Sequence, residues 1–345
     1  MNVLGIESSC DETSVAVIVN NELKANLIAS QDFHFEFGGV VPELSSRAHL
    51  QIIAPLLRQA LKKSNLELKD FDLITSTAGP GLIGAVLVGL TFAKGLAFTL
   101  NKPFVPVNHI EGHIFSGFLM ESKPEFPFLS LVVSGGHTLL LVVESEVKLT
   151  LLGTTIDDAA GEAFDKVSKM IGLGYPGGPK IQFAAENGDG REIKFPVAKT
   201  QTKYDFSFSG LKTSVLRHLQ NNYENPENIP ESDIPDLAAS FQYSLVKALA
   251  KNIKLALDEY KVKSISIVGG VAANAVLRNE IQSIADTHNV KLVIPGIEYC
   301  GDNAAMIALR GQQLHMAGRK FDLSFNAFPS FNFNDYGRKS KRFKD

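Results

Sequence analysis

Cysteine is scarce in this chain: only Cys10 and Cys300 occur among 345 residues, too few to staple a disulfide framework. No basic segment followed by an apolar one opens it at Met1, so a secretory leader is not expected, and a reducing cytoplasm fits best. An uninterrupted apolar run of membrane-spanning length is also missing. The nearest approach, Leu82 to Leu100, contains Lys94, Thr91, Thr99 and three glycines and follows Ala78-Gly-Pro-Gly81, which reads as a buried helix. Low-complexity segments and short-period repeats are absent as well.

A strong charge of one sign is lacking too, since the formal net charge is only −3. The balance is uneven, because Arg338 to Asp345 holds five basic residues and one acid, leaving −7 for the rest. That tail is either a solvated terminus or a polyanion contact. With 45% hydrophobic and 21% charged residues, the chain has about twice the length of one typical domain. Two lobes are expected: residues 1–126 completed by 296–330, and residues 127–295, with 331–345 as a basic tail.

Asn2 to Glu7 reads as an apolar strand, Ser8 to Ser14 as a polar turn and Val15 to Val19 as a second strand, together a β-hairpin. Phe128 to Ser134, Gly135 to Thr138 and Leu139 to Val143 repeat the design about 125 residues later, which suggests duplication. Between them the pattern predicts a helix from about Glu43 to Lys63, a strand at Leu73 to Thr77, the apolar helix, a strand near Phe104 to Val107 and a helix with two histidines. Further helices are expected over Ala159 to Ile171, Ser209 to Asn221 and Ile234 to Tyr260, and a buried strand at Ser264 to Val268. Positions 81, 85, 89, 93 and 97 are Gly, Ala, Gly, Ala and Ala. A small-residue stripe at that spacing lets another helix approach closely, within the protein or across an interface.

The most telling stretch is Val107 to His113 (VNHIEGH), with two imidazoles on one face of a potential helix. His109 and His113 are either metal ligands or ordinary packed histidines, and Asp302, in the turn that opens the last helical pattern, is the best further ligand. Three Gly- or Ser-rich turns follow strands, at Glu7 to Ser14, Ser134 to Thr138 and Gly269 to Asn274. Such turns expose backbone N–H groups to anions. Three of them in a duplicated α/β chain resemble the actin-like ATPase superfamily, a two-lobed, duplicated ribonuclease H-like fold with an interlobe nucleotide cleft. Glu7, Asp11 and Glu12 crowd the first turn with carboxylates, which would repel phosphate unless a cation intervenes.

A specific resemblance covers nearly the whole chain. It is carried by Gly5 to Ser14 (GIESSCDETS), Gly39 to Glu43 (GVVPE) with Ser46 to His49 (SRAH), Gly79 to Leu82, Asn108 to His113, Ser134 to Thr138, Gly161 to Lys166 (GEAFDK), Gly174 to Pro179 (GYPGGP), Phe208 to Lys212 (FSGLK), Gly269 to Asn274 (GGVAAN) and Gly301-Asp302. With these motifs the chain resembles the tRNA N6-adenosine threonylcarbamoyltransferase family, TsaD, formerly described as a glycoprotease. The resemblance implies transfer of a threonylcarbamoyl group from threonylcarbamoyl-AMP to N6 of adenosine 37, in tRNAs reading codons that begin with A, with AMP released. It implies one metal, usually iron with zinc as the alternative, on His109, His113 and Asp302. It also implies nucleotide contacts from Val132, Val133, Ser134, Gly135, Gly136, Asp165, Gly178 and Asn274. Asp11 and Glu12 are the candidates for orienting the adenine amine or handling its proton. The implied partners are tRNA, an inactive TsaB-like paralogue docked on helices of the first lobe, and a TsaE-like P-loop ATPase.

Two rival readings stay in view. A zinc protease places its acid directly after the first histidine, as in His-Glu-x-x-His, whereas Glu111 lies one position further and about 100° around the helix. An actin-fold small-molecule kinase would need no histidine pair.

Overall fold

The computed structural model describes residues 1–224 and 228–330; the basic tail at 331–345 lies outside them. The chain opens with three antiparallel strands, β1 (Asn2–Glu7), β2 (Glu12–Val19) and β3 (Glu22–Ser30). There follow α1 (Pro42–Ser64), β4 (Leu73–Gly79), α2 (Ile83–Leu100), β5 (Phe104–Asn108) and α3 (His109–Phe115). A second antiparallel trio comes next, β6 (Phe128–Val133), β7 (Thr138–Ser145) and β8 (Lys148–Thr154). After it come α4 (Ala160–Met170), α5 (Gly177–Ala184), α6 (Ser209–Asn222), α7 (Ile234–Glu259), β9 (Ser264–Val268), α8 (Ala275–His288) and β10 (Lys291–Val293). The short α9 (Ile297–Cys300) and α10 (Ala304–Met316) are the last elements among the described residues.

Two compact units result among the described residues, Met1–Lys123 joined by residues 295–330, and Pro124–Ile294. Each holds one five-stranded sheet, in the orders β3-β2-β1-β4-β5 and β8-β7-β6-β9-β10. Counted within each unit, the two orders are the same, 3-2-1-4-5. In both, the first three strands are antiparallel and the last two parallel to the first. The duplication inferred from two hairpins therefore extends to whole sheets.

In the first unit both faces of the sheet are covered at its centre, so β1 and β2 carry apolar residues on both faces. Leu4, Ile6, Val15 and Val17 meet α1 and α2 through Ile53, Leu56, Leu57, Leu90, Ala93 and Ala97. The alternate residues Val3, Ala16, Ile18, Leu73 and Val105 meet Ala304 to Ala308 of α10, the two-residue period expected of strands. Ser14 Oγ accepts from the Ala304 backbone N–H at 2.8 Å, fixing the start of α10 on the sheet.

The small-residue stripe turns inward. Ala85, Gly89, Ala93 and Ala97 are buried, whereas Ile83, Leu87 and Phe98 are exposed. A Cβ on Gly89 would lie 2.3 Å from Ser8 Oγ, so the stripe lets α2 settle on its own sheet rather than on a partner helix. Although α2 is long and apolar enough to cross a membrane by length and composition, this buried stripe gives it a core role.

In the second unit α4 and α7 meet through Phe164 and Phe241, whose rings are edge to face at 5.4 Å. Asp158 receives Lys166 at 2.8 Å and Lys212 at 2.7 Å, fastening α4 to α6. Those lysines belong to two of the motifs quoted above, and here they serve the scaffold.

Candidate metal centre and nucleotide turns

Asn108 ends β5 and caps α3, its side chain accepting from the N–H groups of Ile110 at 2.9 Å and Glu111 at 3.3 Å. The cap starts the helix at His109, so that His109 and His113 lie one turn apart on one face, their rings edge to face with centroids 4.7 Å from each other. Asp302 arrives from the other end of the sequence, held just ahead of α10 by Asn303, which caps that helix on Met306 N–H at 3.0 Å. Its Oδ1 lies 3.0 Å from His113 Nε2 and 3.4 Å from His109 Nε2. One ligand atom from each residue falls within 4.8 Å of the others, so the three could hold a metal ion. Two imidazoles and a carboxylate suit a divalent transition metal.

Behind this trio sits Glu7 at the end of β1, fully buried. Its Oε1 accepts from Ser9 N–H at 2.6 Å, while Oε2 accepts from Thr77 Oγ1 and faces His109 Nδ1 at 3.1 Å. Burial alone would depress His109, but the carboxylates of Asp302 and Glu7 hold its pKa well above the ordinary imidazole value. Burial would likewise raise Asp302, yet His109 and His113 hold it well below the usual carboxylate range.

Asp11 and Glu12 border the same centre on the first hairpin turn, half-buried. The turn is anchored at Cys10, whose carbonyl accepts from Ser45 Oγ and lies 3.0 Å from Nε2 of the buried His49. Burial, then the charges of Asp302 and Asp11, push Glu12 up to about 9. Burial with the same carboxylate neighbours also raises the Cys10 thiol, which removes it as a thiolate nucleophile.

A pH prediction follows from Glu12. Because its pKa rises on folding, its contribution to stability is complete below about 4.5 and is lost as the pH climbs through about 9. Glu12→Gln should therefore raise the unfolding temperature of metal-free protein more at about pH 10 than at about pH 5. Equal shifts at the two pH values would contradict the raised carboxyl.

In the second unit the turn between β6 and β7 is closed by Ser134 N–H donating to the His137 carbonyl at 2.9 Å and by His137 N–H donating to Ser134 Oγ at 3.1 Å. Gly135 and Gly136 at its tip are exposed, while the side chains of Val132 and Val133 are wholly buried in the sheet. Any ligand contact from those valines would have to come from their main chain. Gly269, at φ +93°, brings the third turn against β6, where a Cβ would lie 2.4 Å from the Val133 carbonyl. Asp165 accepts from Gly177 N–H at 2.7 Å at the start of α5, beside the half-buried Gly178. Burial raises the Asp165 carboxyl. Asn274 caps α8 through Leu277 N–H at 2.9 Å and donates to Gln242 Oε1 at 2.6 Å. Both ends of its amide are thus engaged by the protein.

The model for the tRNA N6-adenosine threonylcarbamoyltransferase TsaD matches residues 22–309. The chain belongs to the TsaD family.

The enzyme of that name from Thermosipho africanus is 46% identical over 96% of this chain and 99% of its own length. The one from Pelodictyon phaeoclathratiforme is 49% identical over 96% of this chain and 98% of its own. Among solved structures, T. kodakarensis HypF is similar with a TM-score of 0.62 and 16% identity, over 92% of this chain and 48% of that one. Component A of the Acidaminococcus fermentans (R)-2-hydroxyglutaryl-CoA dehydratase reaches a TM-score of 0.54 at 13% identity, over 92% of this chain and 100% of its own. Those two likenesses speak for the actin-like ATPase fold alone.

As a TsaD, the chain is a transferase that makes threonylcarbamoyl-adenosine in tRNA. Its centre also disposes of the protease reading on physical grounds. The carboxylate of Glu111 is bound by Arg310, with Nε at 2.8 Å and Nη2 at 2.5 Å, so it cannot serve as a free base on a metal-bound water. Glu7 was legible only as one acid in a crowded turn. Its partner His109 lies 102 positions away, a distance no local pattern bridges.

Proposed function

We propose that the chain uses threonylcarbamoyl-AMP as donor, gripping its nucleotide with the second unit and carrying the metal on His109, His113 and Asp302 of the first. The observation that carries this reading is the convergence of those three ligand atoms within 4.8 Å in a TsaD chain. A bound divalent ion, iron(II) with zinc as the alternative, would supply Lewis acidity toward charge developing on the donor.

The adenine N6 attacks the carbamoyl carbon of the donor. The bond from that carbon to the phosphate oxygen breaks, AMP leaves with the electron pair, and N6 loses a proton. Asp11 and Glu12, which the family resemblance and their crowding beside Asp302 support as the candidates, would orient the amine and accept that proton. A cation on the neighbouring ligands would lower Glu12 from about 9 toward neutrality, where a general base is most effective.

For the nucleotide, Ser134 to Gly136 offer exposed backbone, Gly178 a side free of any Cβ, and Asp165 an acceptor for ribose hydroxyls. Asn274 holds the start of α8 at the adenosine end. Asp165→Ala should weaken AMP binding about tenfold to a hundredfold, the worth of a charge-assisted hydrogen bond at roughly 1.5–3 kcal/mol. Calorimetry settles this, and unchanged affinity would reject the role.

The family resemblance also supports a cytoplasmic complex with tRNA, a TsaB-like paralogue and a TsaE-like ATPase. Since the stripe of α2 is buried, docking would fall on its outer face, where Leu50, Leu87, Thr91 and Leu96 line a groove of about 700 Å³ between α1 and α2. Depletion of the chain followed by complementation, read by mass spectrometry of tRNA nucleosides, tests the whole reading. The modified adenosine should vanish and return with wild type, whereas persistence after depletion would overturn it.

A further inference from the structure

We propose that Glu7 is a positioning residue for the metal centre, a carboxylate that holds His109 from behind in one tautomer and one orientation. The inference rests on the metal reading above and adds a residue outside its ligand set.

Glu7 is fully buried and can touch neither tRNA nor donor. An ionised carboxylate only accepts hydrogen bonds, and each oxygen here has a defined donor: Ser9 N–H on Oε1 at 2.6 Å, and Thr77 Oγ1 and His109 Nδ1 on Oε2, the latter at 3.1 Å. Nδ1 must therefore carry a proton and donate it, leaving the Nε2 lone pair on the side of Asp302, 3.4 Å away. Ser9 Oγ, 3.2 Å from the same Nδ1, adds a second polar contact to the ring edge. Glu7 is itself fixed, by the strand it ends and by Thr77 on the neighbouring β4, so the ring cannot swing without breaking a buried network. His113 has no such support, for its Nδ1 is buried without a hydrogen-bond partner among the described residues. The two imidazoles are thus unequal, and the one braced by a carboxylate is the better-oriented, more basic ligand.

The test uses the full chain, stripped of metal and titrated with cobalt(II) in competition with a chelator. Glu7→Ala is expected to bind cobalt about tenfold to a hundredfold more weakly than wild type and to change the cobalt visible spectrum. Glu7→Gln should fall between the two, since its amide oxygen still accepts from Nδ1 but carries no charge. Thr77→Val, which removes one hydrogen bond to Glu7 and leaves the carboxylate in place, should stay within about threefold of wild type. A folded Glu7→Ala with wild-type affinity and spectrum overturns the proposal. Should Glu7→Ala fail to fold, Glu7→Gln decides, and wild-type affinity and spectrum there overturn it equally. His113→Ala separates this from the metal reading. If His113→Ala binds cobalt like wild type, or wild type does not bind, the centre itself falls and the role of Glu7 with it. If His113→Ala loses cobalt while the Glu7 variants keep it, only the positioning role is lost.

Discussion

His109→Ala is expected to purify without its metal and to transfer threonylcarbamoyl groups at least a thousandfold more slowly than wild type. The size follows from what a Lewis acid supplies, several kcal/mol of charge stabilisation. About 4 kcal/mol at about 1.4 kcal/mol per tenfold gives roughly three orders of magnitude. The substitution also leaves Glu7 buried without its imidazole partner, so some stability will be lost too. Thermal unfolding must therefore accompany the assay, to keep a folding defect from passing as a chemical one. The decisive measurement pairs elemental analysis of the purified variant with single-turnover transfer from threonylcarbamoyl-AMP to unmodified tRNA. A folded variant that keeps one equivalent of metal, or more than a tenth of the wild-type rate, would refute the assignment.

How much of this centre was legible in the chain depended on the range of the interaction. The pair His109 and His113 announces itself, because a spacing of four is a statement about one helix face. Asp302 was findable from its place in a turn that opens a helix, which frees a side chain to leave the helix axis. The brace from Glu7 was not, since it joins the end of β1 to the start of α3 through a sheet whose strand order must be known first. Strands buried on both faces were readable as apolar runs between polar turns, and so β1, β6 and β9 fell where expected. The third strand of each sheet was not anticipated. β3 mixes exposed Glu22 and Lys24 with buried Ala25 and has no clean alternation, and α5 hides in a Gly/Pro-rich stretch. The stripe on α2 shows the limit of pattern reading. Spacing reveals a smooth face on a helix, while only the fold decides whether that face meets the helix's own sheet or a partner.

Glu111→Leu is expected to destabilise the protein by about 3–5 kcal/mol, the cost of leaving a buried charge without its counter-charge. The stranded group is Arg310 on α10, whose side chain is only 2% exposed. It binds Glu111 through Nε and Nη2 and lies 3.9 Å from the centre of the Phe115 ring, a cation–π contact on the same helix as the two histidines. Even in the intact pair Arg310 Nη1 has no hydrogen-bond partner among the described residues, so the guanidinium is already under-satisfied before Glu111 is lost. Against a typical total of about 5–15 kcal/mol, the loss would bring the chain close to unfolding. Adding Arg310→Met removes the stranded charge with a side chain of similar length, and the double variant should recover most of the stability. Urea unfolding of the four proteins gives the coupling directly. A single variant that loses less than about 1 kcal/mol would show that the pair is not a structural clamp. The same series discriminates between the clamp and a catalytic acid on the metal. A clamp joins α3, which bears His109 and His113, to α10, which begins beside Asp302, so the single variant should lose metal affinity along with stability and the double variant should regain both. A catalytic acid would leave stability and metal content intact in the single variant and abolish activity in both.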